Sequence, residues 1–333
     1  MKLGNVQSLC SGLGITQSEL EQAKHESTYN YIEHKSRGSN GKSPRDLCYP
    51  PPDSMLCRVQ RAIKENILTH IPLLSEIRGY LPGQHNISVA MENCGSIFEG
   101  RIDIHKFHPM ITDSHVLTAL AKHGLSWNWA RSIARLATYQ SDNNHYRNGR
   151  TVPQGAPTSN HIANIVIDTI LRRYIKPFAD YKNVIFLNYG DDIIFVSHNK
   201  NDVVKCVKHA EHAMQKEGFL INEKKRALAE HRGGKRQFIG CSTGRKLPDY
   251  PRDKYRAFRK ELRSYLNEMR NTKKYKSGMS KRQLNSIRQR IVYVKRLNRI
   301  KARRLYDIYY RICAESRRLY YSAICETHET TAA

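Results

Sequence analysis

Long hydrophobic runs are missing from this 333-residue chain. Its apolar stretches, such as Val184-Ile185-Phe186-Leu187, are a fraction of the length that crosses a bilayer. Met1-Lys2-Leu3-Gly4-Asn5 opens without the apolar core of a signal peptide. Membrane spanning and secretion are therefore not expected, and a cytoplasmic location is. Close cysteine pairs are missing too. Cys10, Cys48, Cys57, Cys94, Cys206, Cys241, Cys313 and Cys325 are scattered, with no Cys-x-x-Cys. A structural zinc site is thus not expected, and buried free thiols in a reducing compartment are. Acidic residues are scarce: 30 Asp and Glu stand against 56 Lys and Arg, a formal net charge of +26. With 39% hydrophobic and 9% aromatic residues, the chain still has enough to pack one large domain or two small ones.

The positive charge is concentrated. From 251 to 304 there are 20 Lys and Arg against three acids, Asp253, Glu261 and Glu268. Tyr255, Phe258, Tyr265, Tyr275 and Tyr293 interleave with the charge, and Tyr306, Tyr309, Tyr310, Tyr320 and Tyr321 follow it. Apolar residues recur at helical spacing through Tyr255, Phe258, Leu262, Leu266 and Met269, and again through Leu284, Ile287, Ile291, Val294, Leu297 and Ile300. Two helices are predicted, each with one buried stripe and a basic remainder. So many like charges repel one another in a compact state unless a polyanion neutralises them. Nucleic acid is the expected polyanion, with tyrosines available for stacking. Its contacts would be Arg252, Lys254, Arg256, Arg259, Lys260, Arg263, Lys273 and Lys274. An acidic membrane surface is the alternative.

Upstream, helical periodicity covers 17–26, 55–73, 116–136 and 162–174, and a short strand fits 101–104. Ser-Arg-Gly-Ser-Asn-Gly-Lys-Ser at 36–43 reads as a loop or hairpin tip. Tyr49-Pro50-Pro51-Pro52 halts any regular element. Mixed strands and helices followed by basic helices predict an α+β fold with a helical appendage.

The acids that are present include an adjacent pair. Two β-rich apolar runs, 184–187 and 193–196, flank Asn188-Tyr189-Gly190-Asp191-Asp192, a hairpin signature. Asp191 and Asp192 then sit at a tip held by rigid strands. Gly-Asp is also ordinary turn chemistry, but paired carboxylates in so basic a chain need a reason to be side by side.

Tyr189-Gly190-Asp191-Asp192 resembles the Tyr-x-Asp-Asp motif of reverse transcriptases, and alone it fits viral RNA-dependent RNA polymerases equally. Four further segments favour the first. Asp103-Ile104-His105-Lys106-Phe107-His108-Pro109-Met110-Ile111 is similar to the Asp-Ile-x-x-Phe-Phe-x-x-Ile segment of bacterial reverse transcriptases. The run from Val152 to Ser159, with Asn164 beyond it, is similar to their Pro-Gln-Gly-x-x-x-Ser segment. Gly218 to Lys225 resembles their Gly-Leu-x-Leu-Asn-x-x-Lys element, and Phe238-Ile239-Gly240 the Phe-Leu-Gly turn that grips the primer. Residues 29–35, Arg45, Tyr49-Pro50 and Val59-Gln60 resemble the fingers entry of retron and related bacterial enzymes.

That resemblance implies an α+β right-hand polymerase: N-terminal helix and fingers in 1–100, a palm with an antiparallel sheet in 101–240, a basic helical thumb in 241–325, and a tail in 326–333. It implies RNA-templated DNA synthesis from dNTPs with two Mg²⁺, Mn²⁺ serving as substitute. Asp103, Asp191 and Asp192 would be metal ligands, joined by the Ile104 carbonyl, with Lys225 as proton donor to pyrophosphate. Ile104, Phe107, His108, Gln154, Gly155 and Arg45 would surround the nucleotide, and Phe238, Ile239 and Gly240 would grip the primer. The implied template is a structured non-coding RNA of bacterial anti-phage defence, and the product DNA or an RNA–DNA hybrid. A second copy or an accessory effector protein as partner stays open. So do RNA synthesis, suggested by Tyr189-Gly190 and His108, and RNA binding without catalysis.

Departures from the pattern sharpen the expectations. His108 stands where the resemblance expects Phe or Tyr against the 2′-hydroxyl, so discrimination against ribonucleotides should be weaker or polar. Asn160 replaces a proline and Gly190 an alanine. The retron signatures Asn-Ala-x-x-His and Val-Thr-Gly are absent: Val89-Ala90-Met91-Glu92-Asn93 and Phe238-Ile239-Gly240 stand there instead. This shifts the expectation from branched-RNA priming toward phage-defence enzymes. Packing and stacking are the expected roles of the C-terminal tyrosines, with a hydroxyl that primes DNA as the alternative.

Overall fold

In a computed structural model, residues 4–36, 45–92, 97–140, 149–230, 236–243, 247–271 and 278–331 are described. The first half of the chain runs α1 Val6–Leu13, α2 Gln17–Glu26, β1 Ile32–Ser36, β2 Arg45–Tyr49, α3 Met55–Asn66, α4 Asn86–Glu92, β3 Phe98–Asp103, α5 Phe107–Met110, α6 Asp113–Lys122 and α7 Trp127–Ala137. Then come β4 Tyr139–Gln140, β5 Arg150–Thr151, α8 Ser159–Ile170, α9 Lys176–Tyr181, β6 Ile185–Tyr189, β7 Asp192–Ser197, α10 Lys200–Lys216 and β8 Ala227–Glu230. The last elements are β9 Arg236–Phe238, β10 Cys241–Thr243, α11 Arg252–Asn271, α12 Lys281–Leu297 and α13 Arg299–Thr331. Contacts divide the chain into two units, Met1–His85 with Ser96–His231, and Asn86–Gly95 with Arg232–Ala333.

The first unit is built on a four-stranded antiparallel sheet in the order β6-β7-β3-β8. The apolar runs flanking the paired acids form β6 and β7, so the expected hairpin is present. Ile102, Ile193, Phe195 and Phe186 are buried from this sheet, each contributing on the order of 1.5–3 kcal/mol by leaving water. Helical boundaries follow local chemistry. Thr16 and Glu19 form a reciprocal capping box that starts α2. The single helix predicted over 116–136 is two, because Ser126 caps α7 by accepting from the Trp129 N–H and the chain turns between them. The helix predicted over 55–73 stops at Asn66, before a single 3-10 turn at Leu68–His70 and Pro72. The one predicted over 162–174 begins at Ser159 and passes into a wider π turn at Leu171–Ile175. The loop expected at 36–43 falls almost wholly outside the described residues; β1 and β2 on either side of it pair antiparallel.

The second unit packs α11, α12 and α13 around Phe258, Leu262, Ile291, Val294, Leu305 and Ile312. Arg290 ties two of these helices together: its guanidinium lies 3.8 Å over the Phe258 ring and donates to both oxygens of Glu261 at 2.7 Å. The second predicted stripe overran its helix. α12 ends at Leu297, α13 starts afresh at Arg299, and Ile300 is 70% exposed. Cys10, Cys48, Cys57, Cys206 and Cys241 are buried free thiols. No described helix is long and apolar enough to cross a membrane.

Candidate active site

Cross-strand register puts the acids together. Asp103 ends β3 and pairs with Asp192, the first residue of β7, whose other partner is Tyr189 on β6. Gly190 and Asp191 make the turn between the strands. The Ile104 N–H donates to the Asp191 carbonyl at 2.9 Å, fastening the turn to the end of β3. Asn188 secures it from below. Wholly buried, its side-chain amide donates to the carbonyls of Gly190 at 3.0 Å and Asp192 at 3.1 Å. Its backbone also bonds to Glu76 and Arg78, a parallel bridge centred on Ile77.

Each carboxylate has a different environment. Asp103 is 2% exposed and accepts from Asn222 Nδ2 at 3.0 Å and Lys225 Nζ at 2.7 Å. Asp192 accepts both forks of Arg101, at 2.9 and 2.7 Å. Burial nevertheless pushes the Asp192 carboxyl up to about 6, the guanidinium offsetting only part of that cost. Burial first, and the neighbouring Asp103 charge second, raise Asp191 above the ordinary carboxylate range. Lys225 and Arg101 lower it only in part.

Whether these groups fit a magnesium ion follows from that chemistry. Mg²⁺ takes hard oxygens, and characteristically one or two carboxylates plus substrate phosphates. Asp103 and Asp191 offer two such carboxylates, brought together where the Asp191 turn is fastened to the end of β3. The fit is to two carboxylates rather than a ready-made three. Among the described residues no group of three His, Cys, Asp or Glu side chains is arranged to hold a metal ion; Asp192 is engaged by Arg101 and Asp103 by Lys225.

The other candidates distribute as follows. Ile104 is buried beside the acids. Phe107 faces the core, 6.2 Å between ring centres from Phe219, so its burial describes packing rather than a contact surface. His108 is buried, its Nε2 3.2 Å from Asn160 Oδ1. The Gln154 carbonyl accepts from the Cys48 N–H at 2.8 Å, joining the 149–158 segment to β2 through a bridge at Gly155. Arg45 begins that strand, with its side chain outside what is described. In the second unit Phe238 pairs with Cys241, and Ile239-Gly240 make the two-residue turn with φ of 44° and 82°. A β-branched residue there is strained, and Asn86 Nδ2 holds the Ile239 carbonyl at 2.9 Å. Arg252, Lys254, Arg256, Lys260 and Arg263 are exposed on α11 and Arg259 is half-buried, whereas Lys273 and Lys274 lie outside the described residues.

Sequence reading missed several neighbours. Arg101 was findable, since a residue two before Asp103 on a strand shares its face. Tyr80 was not. Its backbone is left-handed, φ 59°, and its half-exposed ring lies against Gly190 and 6.3 Å between ring centres from His108. Asn164 donates to the Gly79 carbonyl at 2.8 Å, holding this segment in place.

Residues 52–245, more than half of the chain, match the family described as reverse transcriptase (RNA-dependent DNA polymerase). The chain belongs to this family. Reverse transcriptases have the right-hand polymerase fold, and the four-stranded sheet with its paired acids is the palm of this one. Curated bacterial relatives include the retron Mx162 reverse transcriptase of Myxococcus xanthus, 23% identical over 314 residues, covering 86% of this chain and 63% of that one. The retron Ec86 reverse transcriptase of Escherichia coli is 25% identical over 254 residues, covering 74% of this chain and 75% of that one. The chain thus spans a little under two thirds of the length of the Mx162 enzyme. Similar solved structures include apo telomerase from Candida tropicalis truncated from its C-terminal domain, with TM-score 0.44 and 15% identity over 71% of this chain and 61% of that one. Telomerase from Candida albicans in complex with a TWJ fragment of telomeric RNA gives TM-score 0.46 and 10% identity over 92% of this chain and 63% of that one.

Proposed function

We propose that this reverse transcriptase family member is an RNA-templated DNA polymerase that extends a primer from dNTPs. The observation that carries the reading is the fastening of the Asp191 turn to the end of β3 beside Asp103. Asp103 and Asp191 would hold two Mg²⁺, or Mn²⁺ as substitute, with Asp192 and the Ile104 carbonyl in support; when bound, the ions supply positive charge to the oxygens of the reacting phosphate. Arg101 fixes the orientation of Asp192. Lys225, its side chain 55% exposed while paired with Asp103, would donate a proton to leaving pyrophosphate. His108, Gln154, Gly155 and Arg45 border the nucleotide, the 238–240 turn grips the primer, and the basic helices from Arg252 onward form the thumb. Phe107 supports that site from the core.

The finer reading is that the template is a structured non-coding RNA, copied in the bacterial cytoplasm as part of anti-phage defence. Likeness to retron enzymes, joined to the loss of the Asn-Ala-x-x-His and Val-Thr-Gly signatures, supports it. A second reading, acceptance of ribonucleotides, is favoured by the His108–Asn160 hydrogen bond, a polar pair in a position the resemblance assigns to an aromatic barrier.

Primer extension on an RNA template, with dNTPs and NTPs offered separately, tests both. Extension with dNTPs is expected, falling about a thousandfold or more in Asp191→Asn while RNA binding persists. Equal use of NTPs would establish the second reading, and no extension under any divalent ion would end the first.

A further inference from the structure

Tyr80 is held in a backbone conformation that a bulky side chain rarely adopts, left-handed with φ 59°. Hydrogen bonds on the preceding residues keep it there. The Arg78 N–H donates to the Asn188 carbonyl at 2.8 Å, and the Asn188 N–H to the Glu76 carbonyl at 2.9 Å. Asn164 Nδ2, from α8, donates to the Gly79 carbonyl at 2.8 Å. Backbone strain maintained in this way gathers at functional sites. The ring it positions is not spent on the core, for Tyr80 is 42% exposed.

Two of its neighbours belong to the site. The hydroxyl, Cζ and Cε2 of Tyr80 occupy the space where a side chain on Gly190 would stand. The His108 ring lies 6.3 Å away between centres, inclined at 59°. His108 is itself only 8% exposed, with Nε2 3.2 Å from Asn160 Oδ1. Of these two rings, Tyr80 is the one with surface to offer a substrate. Two sugars flank a phosphate that is being joined to a strand: that of the incoming nucleotide, one ester bond away, and that of the primer end. A ring set against the residue before Asp191 borders this region, and its closeness to His108 selects the incoming sugar.

We propose that Tyr80 is a specificity-determining residue whose ring edge closes the space beside the 2′ carbon of the incoming nucleotide. It supplies the barrier to a ribose hydroxyl that the buried His108 does not, and Gly190 leaves the room for it. The proposal rests on the polymerase reading and goes beyond it, since that reading sets position 108, not 80, against the sugar.

Single-nucleotide primer extension on an RNA template, giving kcat/KM for dATP and for ATP opposite uridine, tests it. Glycine is the first substitution because a φ of 59° is free to it, so the ring leaves without straining the backbone. In Tyr80→Gly the preference for dATP should fall about tenfold to a hundredfold, the span over which a pocket wall discriminates a small added group. It should fall because kcat/KM for ATP rises; loss of a merely structural ring would lower both substrates together. Tyr80→Asn, whose side chain also tolerates this backbone, should show the same gain. Tyr80→Phe should keep the wild-type preference, because the ring stays. An unchanged preference in both Tyr80→Gly and Tyr80→Asn would overturn the proposal. So would a loss in Tyr80→Phe as large as in Tyr80→Gly, which would make the hydroxyl the determinant. Altered discrimination between primers ending in a ribonucleotide and a deoxynucleotide, with dATP preference intact, would assign the ring to the primer end and overturn it too. Wild type that uses ATP as readily as dATP would show that no barrier exists. Wild type that extends with neither would end the polymerase reading and the proposal with it, an outcome distinct from an active enzyme whose preference ignores residue 80.

Discussion

At the scale of single residues, the Gly190-Asp191 turn is shaped by a side chain it does not have. A Cβ on Gly190 would lie 2.9 Å from the Tyr80 hydroxyl and 3.2 Å from two of its ring carbons, and φ at Gly190 is 67°. The neighbouring Gly79 is equally tight, since a Cβ there would come within 2.4 Å of the Gly190 nitrogen. Gly190→Ala therefore meets both backbone strain and a clash, about 1–3 kcal/mol in stability. The displaced Asp191 should lose about tenfold or more in DNA synthesis. Adding Tyr80→Ala removes the clash but not the strain, so the double variant should recover part of the loss, a coupling that a double-mutant cycle reads directly. Gly190→Ala with wild-type Tm and rate would break this argument. Asp191 and Asp192 were legible as an adjacent acidic pair between two apolar runs, whereas Asp103 and Lys225 stood out only through the resemblance of their segments to reverse transcriptase motifs. Tyr80 and the His108–Asn160 pair were not legible, since their meaning arises only when segments 28 to 110 residues apart meet.

At the scale of elements, sequence periodicity located helices better than it ended them. The apolar stripe ran through 116–136 without showing that Ser126 would cap a new helix, and through Ile300 without showing the restart at Arg299. What joins such elements can be buried and polar, and α8 gives the case. Its Asp168, fully buried, accepts from the Leu74 N–H at 2.6 Å, Arg172 Nε at 2.5 Å and His123 Nε2 at 3.2 Å. Burial alone would raise this carboxyl, but the hydrogen bonds from His123, Arg172 and Leu74 outweigh it and hold it below the ordinary carboxylate value. The sign follows: a depressed carboxyl stabilises fully above its unfolded pKa, and the contribution fades as pH falls through the folded one. Asp168→Asn keeps an acceptor for Leu74 and loses the charge, so it should cost about 2 kcal/mol near neutral pH. The gap from wild type, measured by urea unfolding, should narrow on the acid side. A gap that is constant or widens there would mean the charge of Asp168 is not what binds α8 to its neighbours.

At the scale of the whole chain, the charges separate by unit. The three palm acids belong to the first unit, whereas the run from 251 to 304, with 20 Lys and Arg, belongs to the second. A net charge of +26 repels itself in the folded state, and salt screens that repulsion. The same ions compete with the protein for phosphates, because binding releases counterions from the nucleic acid. Added sodium chloride should therefore act in opposite directions on two measurements of one sample. The Tm of the free protein should rise between low and physiological salt, while affinity for single-stranded RNA falls with a log–log slope of about −0.7 for each phosphate neutralised. Local pairs such as Arg101–Asp192 and Arg290–Glu261 oppose the first effect, since screening weakens them, but both are partly buried and so are screened less. A Tm that falls over that range would show that these pairs, rather than the excess of like charge, dominate the electrostatics of folding. A flat affinity profile would remove the phosphate backbone as the partner of the basic helices.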